Sequence, residues 1–122
     1  MRNISFQLTT EQVKNRSKTV TRRLGWKNLK AGELLQACEK CMGLGKGGKI
    51  NRLAVIRVVS VRREQLKSML PTKTAGSAGY GMLEALKEGF PNLGGKGFVA
   101  MFCEHMKCKP RTKVTRIEFE YV

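Results

Sequence analysis

Hydrophobic and polar positions change period several times along the chain, and each change marks an element. "ISFQL" (4–8) alternates weakly and predicts an opening strand. Thr9, with Gln12 three residues on, makes a capping box for a short helix over "TEQVKNR". "SKTVTRRLGW" (17–26) is too polar and β-branched to continue that helix, and is expected to be a loop or a helix end. "AGELLQACE" (31–39) turns at a glycine into a strand-like apolar run. Past a glycine-rich stretch, "NRLAVIRVVSVRRE" (51–64) is dense in Val and Ile and is the clearest strand, so the two runs should form a hairpin.

The second half reads the same way. "EQLKSML" (64–70) is a short helix stopped by Pro71, and "TKTAGSAGYG" (72–81) is a loop of Gly, Ser and Thr. "MLEALKEGF" (82–90) is a helical turn ended by Gly89. "KGFVAMFCEHMK" (96–107) sets Phe98, Met101, Phe102 and His105 on one helical face, which should pack on a sheet. "KVTRIEFEYV" (113–122) alternates strictly, with Thr115, Ile117, Phe119 and Tyr121 facing one way and Arg116, Glu118 and Glu120 the other, as a half-buried closing strand does. The sum is a single α+β domain over residues 1–122: a small β-barrel of about five to six strands with two to three flanking helices, closed by pairing the first and last elements.

Composition changes this picture only through charge. Hydrophobic residues at 41% and charged residues at 27% are ordinary for a folded globular domain and suggest neither disorder nor a membrane protein. Against 24 Lys and Arg stand 9 acidic residues, all Glu, for a net charge of +15. A small domain this positive repels itself unless a polyanion screens it, and nucleic acid, RNA or DNA, is the partner of that kind. Residues 1–30 hold no apolar run of signal-peptide length, so a cytoplasmic chain with no membrane partner is expected. Its four Cys are then thiols or metal ligands rather than disulfides.

"MGLGKGGKI" (42–50) spells G-x-x-x-x-G-K, the opening of a phosphate-binding loop. Such a loop needs a following helix and a hydroxyl after its lysine to hold magnesium. Here Ile50 stands in that place, a β-branched run follows, and the chain has no Asp. No nucleotide triphosphate is expected; the segment is a hairpin tip whose Lys46 and Lys49 contact backbone phosphates.

"SKTVTRR", "GELL" at Gly32 to Leu35, "EGF" at Glu88 to Phe90 and "VTRIEFEYV" at the end, in this order and spacing, resemble the ASCH domain family, a branch of the PUA-like fold associated with RNA. The resemblance covers most of the chain and implies a small β-barrel with a cleft for a nucleobase or nucleotide. A phage or mobile-element type of member fits the charge. Some bacterial members are acetylcytidine amidohydrolases that depend on a Lys, a Thr and a Glu; others act as ribonucleases or simply bind RNA. By their K-T-x-T pattern the catalytic trio falls on Lys18, Thr21 and Glu88, with Glu84 a competing position. This chain departs from those hydrolases in its greater charge, its glycine loop and its cysteines.

From chemistry alone, a partly desolvated Lys beside a carboxylate can activate a water or hydroxyl, and Arg22 and Arg23 offer forks for phosphate. Lys18, Thr19, Thr21, Arg22 and Arg23 are therefore the candidate nucleic-acid cleft. Trp26 can stack on a base or fill a rim, and Tyr80 can do the first from its loop. Arg62, Arg63 and the run Lys107, Lys109, Arg111, Lys113 and Arg116 are the candidate phosphate contacts. No cofactor is expected. A structural zinc is the alternative to four ordinary thiols, held by the C-x2-C pair Cys38 and Cys41 with Cys103 and Cys108, His105 lying between the latter two.

Overall fold

A computed structural model of the chain describes residues 1–41, 45, 47–71 and 78–122. Five strands form one sheet in the order β1-β3-β4-β5-β2, where β1 is Arg2–Ser5, β2 Val20–Arg23, β3 Leu34–Cys38, β4 Arg52–Gln65 and β5 Lys113–Tyr121. Three helices accompany it: α1 (Thr10–Lys14), α2 (Ala78–Lys87) and α3 (Gly94–Met106). The sheet curls into a half-barrel, and with the helices it makes an α+β fold.

The Val- and Ile-rich β4 is the spine, paired antiparallel with β3 on one side and β5 on the other. Its register slips between Val58 and Ser60, leaving Val59 exposed, and such a bulge bends a strand and deepens the curl. Closure differs from the expectation. β5 lies between β4 and β2, and the opening strand pairs parallel with β3, so first and last strands never meet. The two edges, β1 and β2, are instead linked by a side chain: the Arg23 guanidinium donates to the carbonyl of Ser5.

"VTRR" is a strand, not a loop or helix end. Val20 to Arg23 pair with Glu118 to Thr115, and this long partner settles a segment whose β-branched residues already favoured extension. The capping box does not form either: Thr9 makes no side-chain cap, Thr10 Oγ1 donates to the Phe6 carbonyl at 3.0 Å, and Gln12 Nε2 donates to the Gly89 carbonyl at 3.1 Å. The helix expected at 64–70 is a 3-10 turn over Leu66–Met69. Of the expected loop 72–81, residues 72–77 lie outside the described residues and the rest is the first turn of α2.

Two apolar clusters fill the fold. Ile4, Phe6, Leu35, Ile56, Val58, Ile117 and Phe119 line the inside of the half-barrel. Leu66, Met69, Ala85, Phe98, Val99, Phe102 and Val114 form the second, beneath α2 and α3. Helix α3 thus packs on α2 and the 3-10 turn rather than directly on a sheet, and His105 is exposed. Gly81 and Gly95 mark the closest approach of the two helices: a Cβ on either would collide with the Met69 carbonyl. Because α2 covers the second face of β5, Val114 to Ile117 are all buried and Arg116 is not on a solvated face. Among the described residues no helix is long and apolar enough to cross a membrane.

Candidate functional site

The site forms where the end of α2 meets the entry to β2. Gly89, at a φ of 99°, ends the helix in the left-handed conformation that glycine takes without strain, and the Phe90 amide returns to the Ala85 carbonyl at 2.9 Å. The Thr19 amide donates to the Lys87 carbonyl at 2.9 Å, fastening the two segments side by side. Glu88 is thereby placed opposite Lys18.

Lys18 is buried, and its Nζ donates to Glu88 Oε1 at 2.9 Å and to the Glu88 carbonyl at 2.6 Å. An ammonium has three donors, so one remains for a ligand. Burial outweighs the attraction of Glu88 and holds the Lys18 amine below its ordinary value of 10.5. Thr21 Oγ1 accepts from Arg23 Nε at 3.2 Å, which leaves its own proton to give. Lys18, Thr21 and Glu88 line one cavity of about 620 Å³, walled by Phe6, Phe90, Phe98, Met101 and Phe102. That volume lies in the range of small-ligand pockets.

Behind the cleft runs a buried ion network. Arg22, expected to offer its fork to phosphate, has a side chain with 0% exposure and is committed to protein: Nη1 to Glu88 Oε2 at 3.0 Å and Nη2 to Glu84 Oε1 at 2.6 Å. Its Nε is the one fully buried side-chain polar atom without a partner among the described residues. Burial alone would lower its pKa, but Glu88, Glu84 and Glu64 together push it up. Glu84 also receives Arg116 Nε at 2.6 Å and Nη2 at 3.2 Å. Burial would raise the Glu84 carboxyl; Arg116 and Arg22 outweigh it and bring it down to about 2. Glu88, then, is the carboxylate that meets Lys18, and Glu84 serves the arginines.

Arg116 is thus a strut rather than a phosphate contact. Tyr80 is likewise not a free stacking ring: it lies in α2, where its hydroxyl sits 3.0 Å from Glu64 Oε1 and accepts from Arg62 Nη2 at 2.6 Å. Arg62, Arg63, Lys107, Lys109, Arg111 and Lys113 are exposed, as is Lys49, while Lys46 lies outside the described residues. Thr19 is half-buried and engaged through its backbone. Trp26 is half-buried against the first core cluster.

The cysteines stay as two pairs. Burial, then Cys41, pushes the Cys38 thiol up to about 11, and burial, then Cys108, raises Cys103. Among the described residues no three of His, Cys, Asp or Glu come together to hold a metal ion, so Cys38 and Cys41 are not joined by Cys103 and Cys108.

No family model matches the chain in sequence, and no curated protein matches it. Its fold does match solved structures. An ASCH domain from Lactobacillus crispatus JV V101 superposes with a TM-score of 0.57 at 12% identity, over 98% of this chain and 78% of that one. A protein from Enterococcus faecalis V583, assigned to a domain family of unknown function, superposes with a TM-score of 0.55 at 18% identity, over 99% of this chain and 78% of that one. At these identities the likeness establishes the fold.

Proposed function

We propose that this chain binds single-stranded nucleic acid, RNA in preference, by taking one base into the Lys18, Thr21 and Glu88 cleft. The observation that carries the proposal is the convergence of those three side chains on one aromatic-walled cavity. Apolar ring faces suit the flat sides of a base, and the polar floor suits its edge. The free Lys18 N–H and Thr21 O–H supply two donors and the Glu88 carboxylate an acceptor. That set complements an edge with two acceptors and one donor, which the pyrimidines cytosine and uracil both present. The +15 charge and the exposed Lys and Arg side chains supply attraction for the phosphates that follow.

Calorimetric titration with cytidine, uridine and single-stranded RNA tests this. Cytidine and uridine should both bind, since each offers the floor two acceptors and one donor. Lys18→Ala should weaken both nucleosides about fivefold or more, since a site that loses a polar partner at its floor forfeits about 1–3 kcal/mol. RNA affinity should fall with salt at a log–log slope of about −0.7 per phosphate neutralised. A flat salt response together with no nucleoside binding refutes the reading.

A second reading, hydrolysis of an acylated pyrimidine amide, is favoured by one observation: the buried Lys18 amine, pulled toward its neutral form, lies 2.9 Å from a carboxylate. Such an amine can take a proton from water as the oxygen adds to the acyl carbonyl; the C–N bond then breaks, and the exocyclic amine leaves with that proton, giving a carboxylic acid and the free base. Incubation with N4-acetylcytidine, followed by chromatography for cytidine, decides it: release lost in Lys18→Ala supports hydrolysis, and no release by the unaltered protein removes it. Labelled RNA in the same assay tests the ribonuclease alternative by its cleavage.

A further inference from the structure

Beside the cleft lies a second, more open cavity of about 470 Å³, lined by Arg2, Arg23, Leu24, Gly25, Trp26 and Met106. Arg23 and Met106 also line the cleft, so the two spaces adjoin across the Arg23 side chain. We propose that this notch receives the nucleotide next to the one in the cleft, with the linking phosphate at Arg23, so that the ligand is an oligoribonucleotide and not a free nucleoside. The inference rests on the base-in-cleft reading and extends it.

Arg23 carries the case. Its Nε donates to Thr21 and one Nη2 proton goes to the Ser5 carbonyl, which leaves three of the five guanidinium donors. Unlike its neighbour Arg22, it forms no ion pair among the described residues, which include all 9 Glu. Burial draws its pKa down to about 10, and the attraction of Glu88 offsets this only in part. A guanidinium in that state gains most from an anion that accepts two parallel hydrogen bonds, as a phosphodiester does.

The notch is also built to hold a flat ring. Trp26 has a φ of 61°, a left-handed conformation that is unfavourable for so bulky a residue and persists only where surroundings impose it. Here Thr115 Oγ1 donates to the Gly25 carbonyl at 2.6 Å and the Leu29 amide to the Trp26 carbonyl at 3.3 Å. Arg2 lies over the indole at 4.9 Å, its guanidinium oriented by Glu33 at 3.1 and 2.6 Å and its side chain 55% exposed. Bases stack on guanidinium planes as well as on aromatic rings, so the Arg2 and Trp26 pair forms a platform beside the phosphate-receiving Arg23.

Trp26 is the only tryptophan, so tryptophan emission, excited selectively over the two tyrosines, reports on the notch. The test titrates the protein with cytidine and with a random-sequence single-stranded RNA octamer, following emission and, separately, heat. The octamer should change Trp26 emission and bind at least tenfold tighter than cytidine. Arg2→Ala should weaken the octamer about fivefold or more, given a stacking contribution of the usual size, and leave cytidine within twofold. Trp26→Phe, which keeps an aromatic surface, should retain most of the octamer affinity. If cytidine binds but the octamer is no tighter and leaves emission unchanged, the notch is overturned while the cleft stands. A tighter octamer that ignores Arg2→Ala and leaves emission unchanged overturns it as well, because the extra contacts then lie elsewhere. Failure of both ligands overturns both proposals.

Discussion

Glu84→Gln isolates what the buried network contributes. Glu84 is the only carboxylate that Arg116 meets among the described residues, and it shares Arg22 with Glu88. Substitution removes the charge that offsets two guanidiniums whose side chains are 0% and 5% exposed, and strains three hydrogen bonds, at 2.6, 2.6 and 3.2 Å. Arg22 keeps Glu88; Arg116 keeps no anion. Breaking a buried pair from one side costs about 3–5 kcal/mol, chiefly because an uncompensated charge stays behind. For a chain of 122 residues that loss lowers the melting temperature by about 12–20 °C. Total stability of about 6–18 kcal/mol leaves most of the range folded at room temperature, so the loss is measurable by urea titration and calorimetry. A decrease below about 1 kcal/mol would refute the reasoning, since it would mean that water already reaches Arg116.

Acid should act on the same group. The folded Glu84 carboxyl sits at about 2, below its ordinary 4.5, so its stabilisation is complete above about 4.5 and is lost as pH falls toward 2; the acid limb of a stability–pH curve should flatten in Glu84→Gln. Lys18 has the opposite sense: a cation with a lowered folded pKa makes stability rise with pH between that value and 10.5, and Lys18→Met should abolish the rise. A Lys18 Nζ resonance titrating at or above 10.5 contradicts the desolvation assigned to it, and Glu88→Gln should lower the titration further, because Glu88 is what raises it. Gly81→Ala gains about 1 kcal/mol of helix propensity yet should destabilise on balance, since the new methyl meets backbone at Met69 and overpacking costs about 1–3 kcal/mol or more; a raised urea midpoint would refute the close helix contact.

Much of this molecule is legible from local pattern. The hairpin of β3 and β4, the closing strand and the end of α2 at Gly89 follow from β-branched density, alternation and one glycine. "SKTVTRR" was not legible in the same way. Its polar residues deny the alternation that marks a strand, and only pairing with β5 extends it. Barrel closure was misjudged for a related reason, because nothing local in the two terminal strands says which neighbour each will take.

At the site, Lys18, Thr21 and Glu88 were identifiable only through the resemblance to the ASCH pattern, and the three line one cavity. Arg22 and Arg116 were misread as ligand contacts because charge alone does not reveal what faces a side chain. One signal was present: Glu84 and Glu88 stand four apart, which on a helix puts both carboxylates on one face, and so acidic a face in so basic a chain calls for buried cations. The Arg2 and Trp26 platform had no local signal, since its members are 24 positions apart and meet only through the sheet.

The most direct test of the cleft is an amide-resolved NMR titration of the protein with cytidine. The account predicts shifts clustered on Lys18, Thr21, Glu88 and Phe90, reduced by Lys18→Ala. Shifts confined to the exposed Lys and Arg surface, with those four residues unmoved, would contradict it.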